Sequence, residues 1–405
     1  MQRIKPLVSV AFQRCSDLQQ AKTNLRNYAP TGGDLSLVRE YVLNPFVYEP
    51  LMKFVPLSVA PNVITVAGYI CLWISVIITY IHCPTFSETI PNWVFVVNAI
   101  CLFAYQTLDN MDGKQARRTK TSSPLGELMD HGVDAVATTL CAISWICACK
   151  QGTTLVSYLI CLIGYIPFIF ATLEEYYIGG LYLGKFNGPI EGLLGFIIMQ
   201  LLGGIFGHQF YQTKVFGLAP LWALFSGLTA FGSIFASIEN IMNIRAKINE
   251  NKKSKVENKD SALDEQQRSP CFETNFHKSL LPAIPFFILL GSFFTFVMVD
   301  RETVQRYPYL TLFSMAIGFG YLASNLTLAF LVKKPLALFS MMCIPSVLLM
   351  LNAWTGHSLV SGFYALLLCA VATFLIYGNY VLSVCDDICN ALDINVFFLP
   401  TNKRD

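Results

Sequence analysis

Between Asp109 and Asp134 the chain reads D-N-M-D-G-K-Q-A-R-R-T-K-T-S-S-P-L-G-E-L-M-D-H-G-V-D, with apolar runs on both sides. Carboxylates at the edge of an apolar span are costly, so they need a chemical reason to be there. Asp109 and Asp112 are three positions apart and Asp130 and Asp134 four apart, so on helices each pair shares a face. A short turn that joins the two faces makes one oxygen-rich pocket suited to hard divalent cations, Mg2+ or Mn2+. Gly113, Ala116 and Gly126 leave room among the acids, and Arg117 and Arg118 set positive charge beside them, as a phosphate-bearing ligand requires. Two ions bridged by Asp109, Asp112, Asp130 and Asp134 would clamp a diphosphate and neutralise a departing phosphate.

His131 stands between Asp130 and Asp134, and Glu127 lies four residues before it on the same helix face. A histidine that changes protonation near neutral pH is suited to take a proton from an alcohol, and Glu127 is placed to orient its ring. His131, Glu127 and Asp134 are therefore the catalytic candidates, with Asp134 also a metal ligand. Simpler uses of the acids fit less well. Ion pairing to Lys114, Arg117, Arg118 and Lys120 does not need two small-residue faces. An ion-coupled lipid transporter would spread its acids along a path across the bilayer, whereas these cluster at one end.

The elements that must carry this hairpin are membrane spans. Of the 405 residues 54% are hydrophobic and only 13% charged, about half the charge of a soluble domain. Ten apolar runs predict an all-α, polytopic integral membrane protein. They cover Val63–His82, Trp93–Leu108, Leu125–Cys149, Leu155–Leu173, Gly188–Phe206, Leu218–Ile244, Leu280–Val299, Tyr309–Val332, Leu336–Leu351 and Leu359–Val384. With the N-terminus placed in the cytosol, all of the 28 basic residues except Lys150, Lys214, Arg301 and Arg306 fall on the cytosolic side. The hairpin falls there too.

This reading divides the chain into a cytosolic segment (1–60), a six-helix catalytic core (61–248), a cytosolic loop (249–278), a four-helix extension (279–385) and a tail (386–405). Within the first segment, Leu35–Val55 alternates apolar and charged residues and is a candidate interfacial helix. Asn249–Gln267, rich in Lys, Glu, Asp, Asn and Ser, is expected to be a flexible loop. The extension holds little ionisable chemistry and is expected to serve packing, lipid contact or oligomerisation. The cysteines are scattered through apolar runs and are expected to be small buried hydrophobes, not disulfides or zinc ligands. A net charge of +2 carries no signature of nucleic acid, and no such partner is expected.

The string D-x2-D-G-x2-A-R-x8-G-x3-D-x3-D resembles the motif of the CDP-alcohol phosphotransferases. Asp109, Asp112, Gly113, Ala116, Arg117, Gly126, Asp130 and Asp134 match it without departure. The resemblance implies a six-helix membrane core, divalent ions on the four acids, and a CDP-linked substrate lying over the glycines. The flanks, from Y-Q-T-L at Tyr105 to H-G-V-D at Asp134, are similar to the eukaryotic choline/ethanolamine phosphotransferases. So are Ala60–Thr65 and the N-G-P-x-E-G string at Asn187–Gly192.

That subfamily implies transfer of phosphocholine or phosphoethanolamine from CDP-choline or CDP-ethanolamine to diacylglycerol. It implies His131 as the base, Asn62 and Thr65 at the nucleotide, residence in the endoplasmic reticulum or Golgi, and a homodimer. Phosphatidylinositol or phosphatidylglycerophosphate synthases of the same superfamily generally lack the histidine. Where the subfamily tends to carry a tryptophan, this chain has Leu173, followed by Glu174, Glu175, Tyr176 and Tyr177. Glu174 and Tyr176 are the candidates for an acidic, aromatic headgroup pocket. Over the last four spans the resemblance fades to length and hydropathy.

Overall fold

Long apolar runs become helices in this chain because a helix bonds every backbone group internally, as a lipid interior demands. The computed structural model describes residues 18–184, 188–257, 273–357 and 359–399. Before the first span come α1 (Leu18–Arg26), a strand β1 (Gly32–Asp34), and a wide-turned π-helical stretch, Arg39–Tyr48, that continues into α2 (Glu49–Met52). Then follow α3 (Pro61–His82), α4 (Asn92–Thr119), α5 (Pro124–Cys149) and α6 (Leu155–Ile178). A second strand, β2 (Leu181–Leu183), pairs in parallel with β1 and ties the N-terminal segment to the core. Next come α7 (Leu193–Phe206), α8 (Gln209–Gln212), α9 (Leu221–Glu257), α10 (Phe276–Leu280) and α11 (Ile284–Val299). The chain continues through α12 (Arg301–Arg306), α13 (Pro308–Val332), α14 (Cys343–Trp354) and α15 (Gly362–Leu392).

Among the described residues, nine helical segments are long and apolar enough to cross a membrane. Outward-facing apolar side chains such as Ile70, Ile77, Phe231, Phe235, Phe374 and Leu375 are exposed, as contact with lipid requires. The protein is an integral membrane protein.

Two sequence expectations are corrected. The span expected at Leu336–Leu351 is instead a non-helical stretch followed by the 12-residue α14. Twelve residues make a helix of about 18 Å, too short to cross a hydrocarbon core of about 30 Å. The segment still runs the length of the bundle. The Lys334 carbonyl accepts from Tyr176 at one end (3.0 Å), and His357 pairs with Asp300 at the other (3.1 Å).

The loop expected from Asn249 is also shorter than thought, because α9 continues to Glu257. Its Lys, Glu and Asn residues are good or tolerable helix formers, so polarity alone did not end the helix. The rest of that loop, 258–267, lies outside the described residues, as do Arg3, Lys5, Arg14, Lys185 and Asn187. Among the described residues the cysteines form no disulfide.

The acidic hairpin is α4 and α5 joined by a tight turn. Lys120 adopts the left-handed conformation (φ 57°) that ends α4, and the Ser123 hydroxyl accepts from the Gly126 N–H (3.2 Å) to begin α5. Pro124 takes the first helical position, where its missing N–H costs nothing. The end of α4 is also tied sideways. Arg118 donates to the carbonyls of Met52 and Val55 (both 2.8 Å), and Gln115 to those of Pro56 and Val59 (both 2.9 Å). Arg118, which the sequence set beside a phosphate, thus anchors the hairpin to the preceding segment.

Candidate active site

The hairpin brings carboxylates together as the three- and four-residue spacings predict. Oxygens of Asp109, Asp130 and Asp134 lie within 4.8 Å of one another. One oxygen of Asp109 and one of Asp130 are buried with no hydrogen-bond partner. Buried charge without a partner is expensive, so an oxygen-only donor set of this kind fits a divalent cation. None of the four ion pairs among the described residues involves any of the four aspartates. Pairing with the neighbouring Lys and Arg residues therefore does not account for them.

Asp112 stands slightly apart, accepting a hydrogen bond from the Thr65 hydroxyl, while Asp134 accepts one from Tyr105. Thr65 comes from α3, which packs on the hairpin, and Tyr105 from α4 itself, one turn before Asp109. Asn62, at the start of α3, donates to the Val396 carbonyl (2.9 Å). Its side-chain oxygen lies 3.6 Å from where a Cβ on Gly126 would sit. Gly113 faces only the Arg117 guanidinium, at 3.6 Å from such a Cβ, so the surface between the acids and that guanidinium is open. Ala116 lies on the same helix, next to the exposed Arg117.

His131 is buried on α5, and its Nδ1 is bracketed from two other helices. The Glu175 carboxylate of α6 lies at 3.4 Å and the Thr327 hydroxyl of α13 at 3.3 Å. Engaging Nδ1 fixes the ring and leaves Nε2 for chemistry. Glu127 joins the same group, its carboxylate within 4.8 Å of His131 and Glu175. It also accepts a hydrogen bond from Tyr28, which follows α1. Burial and the neighbouring Glu127 carboxylate push the Tyr28 phenol well above its ordinary range, so it acts as a neutral donor. The helix that precedes Tyr28, α1, is held by Asn24 to the Val332 carbonyl (3.1 Å) and by Arg26 to that of Ala391 (3.3 Å).

Glu175 and Thr327 are the residues the sequence reading missed. Glu174, chosen there, points toward α9, where it accepts from Asn243 (3.1 Å). Tyr176 donates to the Lys334 carbonyl and packs edge-on against Tyr177 at 5.0 Å. Successive helical residues point about 100° apart, so the neighbouring glutamate faces a different helix. Leu173 is fully buried. Residues of the extension also reach the hairpin. Besides Thr327, Ser324 and Tyr377 close over Gly132, where an added Cβ would lie 2.9 Å and 3.2 Å from their oxygens.

The pattern described as CDP-alcohol phosphatidyltransferase matches residues 58–219, which hold the hairpin, α6 and α7. A Dictyostelium discoideum protein named uncharacterized CDP-alcohol phosphatidyltransferase class-I family protein 2 is 32% identical over 390 residues, covering 93% of this chain and 86% of its own. Choline/ethanolaminephosphotransferase 1 of Arabidopsis thaliana is 31% identical over 395 residues, 92% of this chain and 95% of its own. Cholinephosphotransferase 1 of Saccharomyces cerevisiae is 28% identical over 405 residues, 95% of this chain and 98% of its own. The chain belongs to the CDP-alcohol phosphatidyltransferase family. Its likeness to these relatives reaches into the extension, where length and hydropathy alone were expected to agree.

Proposed function

We propose that this protein transfers phosphocholine or phosphoethanolamine from CDP-choline or CDP-ethanolamine to diacylglycerol, releasing CMP. The observation that carries this reading is a buried histidine, held at one ring nitrogen by Glu175 and Thr327, on the same helix as two of the clustered acids. The names of the Arabidopsis and yeast relatives support the aminoalcohol class. Asp109, Asp112, Asp130 and Asp134 would hold two divalent ions, which when bound neutralise the donor's diphosphate and the leaving phosphate. The unpartnered oxygens of Asp109 and Asp130 support that fit.

The protein's own groups do the rest. Asn62, Thr65, Gly113, Ala116 and Gly126 seat the nucleotide, and Arg117 meets its phosphates. Diacylglycerol enters sideways from the bilayer, and His131 Nε2 takes its hydroxyl proton. The freed oxygen attacks the β-phosphorus, the bond from that phosphorus to the bridging oxygen breaks, and CMP leaves with the electron pair. Glu175 and Glu127 steady the imidazolium that forms. The site faces the cytosol, where nucleotides are, and the protein resides in the endoplasmic reticulum or Golgi as a homodimer.

Thermal unfolding of the purified protein tests donor binding. CDP-choline or CDP-ethanolamine with Mg2+ is expected to raise Tm, by linkage of binding to the folded state. No shift with either donor would favour the transporter reading, and a shift with CDP-diacylglycerol alone would favour a phosphatidylinositol-type synthase.

A further inference from the structure

The surroundings of His131 are completed by a residue that precedes the region matched by the family pattern. Helix α1 has nine residues, too few to be stable alone in water, so it is ordered by what it docks on. Its Ala21 and Leu25, four apart and therefore on one face, are buried. They join one apolar cluster with Leu125 and Leu128 of α5, Leu328 of α13 and Ile388 of α15. The hydrogen bonds of Asn24 and Arg26 tie the same helix to the last turns of α13 and α15. Tyr28 follows three residues after Leu25, its ring packed on that cluster and its hydroxyl donating to the Glu127 carboxylate.

What the hydroxyl does follows from the crowding at the imidazole. A carboxylate oxygen of Glu127, one of Glu175 and a ring nitrogen of His131 all lie within 4.8 Å of one another. Glu175 is paired with Nδ1 at 3.4 Å, and among the described residues Glu127 makes no ion pair with that ring. Two carboxylates beside one imidazole repel each other and compete for the same N–H unless another donor holds one of them. Tyr28 is that donor.

We infer that Tyr28 is a positioning residue for the transfer reaction. By holding the Glu127 carboxylate it leaves Nδ1 to Glu175 and Thr327, and so keeps Nε2 turned toward the acceptor hydroxyl. This rests on the reading of His131 as the base given above. It makes the docking of α1 part of what orients that base.

Steady-state kinetics on the purified full-length protein test it, with CDP-ethanolamine and diacylglycerol varied in turn. Tyr28→Phe keeps the ring and its packing and removes only the hydroxyl. It is expected to lower kcat about tenfold, the usual cost of one lost hydrogen bond to a charged group. Both KM values and Tm should stay level, the mark of an interaction that matters in the transition state. Glu127→Ala removes the partner, and in that background Tyr28→Phe should lower kcat no further. Wild-type kcat in Tyr28→Phe would overturn the inference. So would two losses that multiply in the double variant, since Tyr28 would then act elsewhere. A fall in kcat that comes with raised KM values and a lowered Tm would reduce Tyr28 to packing and overturn it as well. Full turnover in His131→Ala would overturn the base reading, and this inference with it.

Discussion

The roles of single residues follow from which atoms are already occupied. His131 has Nδ1 engaged and Nε2 open, so His131→Ala is expected to lower turnover by about 100-fold or more, the usual worth of a general base. A purified variant with full turnover would disprove the assignment. Glu175→Gln keeps the shape and removes the charge that steadies an imidazolium. It should lower kcat about tenfold while the KM for the CDP-alcohol stays level, the mark of an interaction made in the transition state. Chelation with EDTA is expected to abolish transfer, and Mg2+ or Mn2+ to restore it; activity that survives exhaustive chelation would mean the acid cluster is not a metal site. Asp109, Asp130, Asp134 and His131 were legible because their chemistry lies in one stretch with helical spacing. Glu175 was not, because choosing between adjacent glutamates requires knowing which helix each one faces.

At the scale of elements, the hairpin was readable down to its turn, since Ser123 and Pro124 mark a helix start in any context. The extension was harder. Its helix α13 is apolar all round, and nothing in that pattern marks Thr327 as the residue that meets His131. The contact implies that the last spans help to hold His131. Thr327→Val keeps the volume and removes the hydroxyl, so it should lower kcat severalfold with little change in Tm, and Thr327→Ser should restore it. Equal loss in both variants would reduce Thr327 to packing. At Gly132 side chains of α13 and α15 come close to α5. Gly132→Val is expected to cost about 1–3 kcal/mol by overpacking, read as a lower Tm. The two misread boundaries share one cause. Composition reports polarity, whereas α9 runs on past its apolar part and α14 begins late after Pro335.

For the whole molecule, one arrangement reconciles a water-soluble donor with a lipid acceptor. The acids sit at the hairpin end of the bundle, within reach of the aqueous side, while the spans around them present apolar faces to lipid. The proposed orientation, argued from the distribution of basic residues, puts that end in the cytosol. In sealed microsomes with the cytosolic face outward, transfer from added CDP-ethanolamine should therefore need no detergent. Strong latency would put the hairpin on the opposite side. The polytopic architecture was legible because lipid permits few alternatives to apolar helices. The account as a whole stands on one measurement, a headgroup-transfer assay with purified protein, labelled CDP-choline and CDP-ethanolamine in competition, and diacylglycerol as acceptor. The expected result is label in the phospholipid with matching release of CMP, lost in His131→Ala. Absence of transfer from both donors by folded, metal-loaded protein would contradict it.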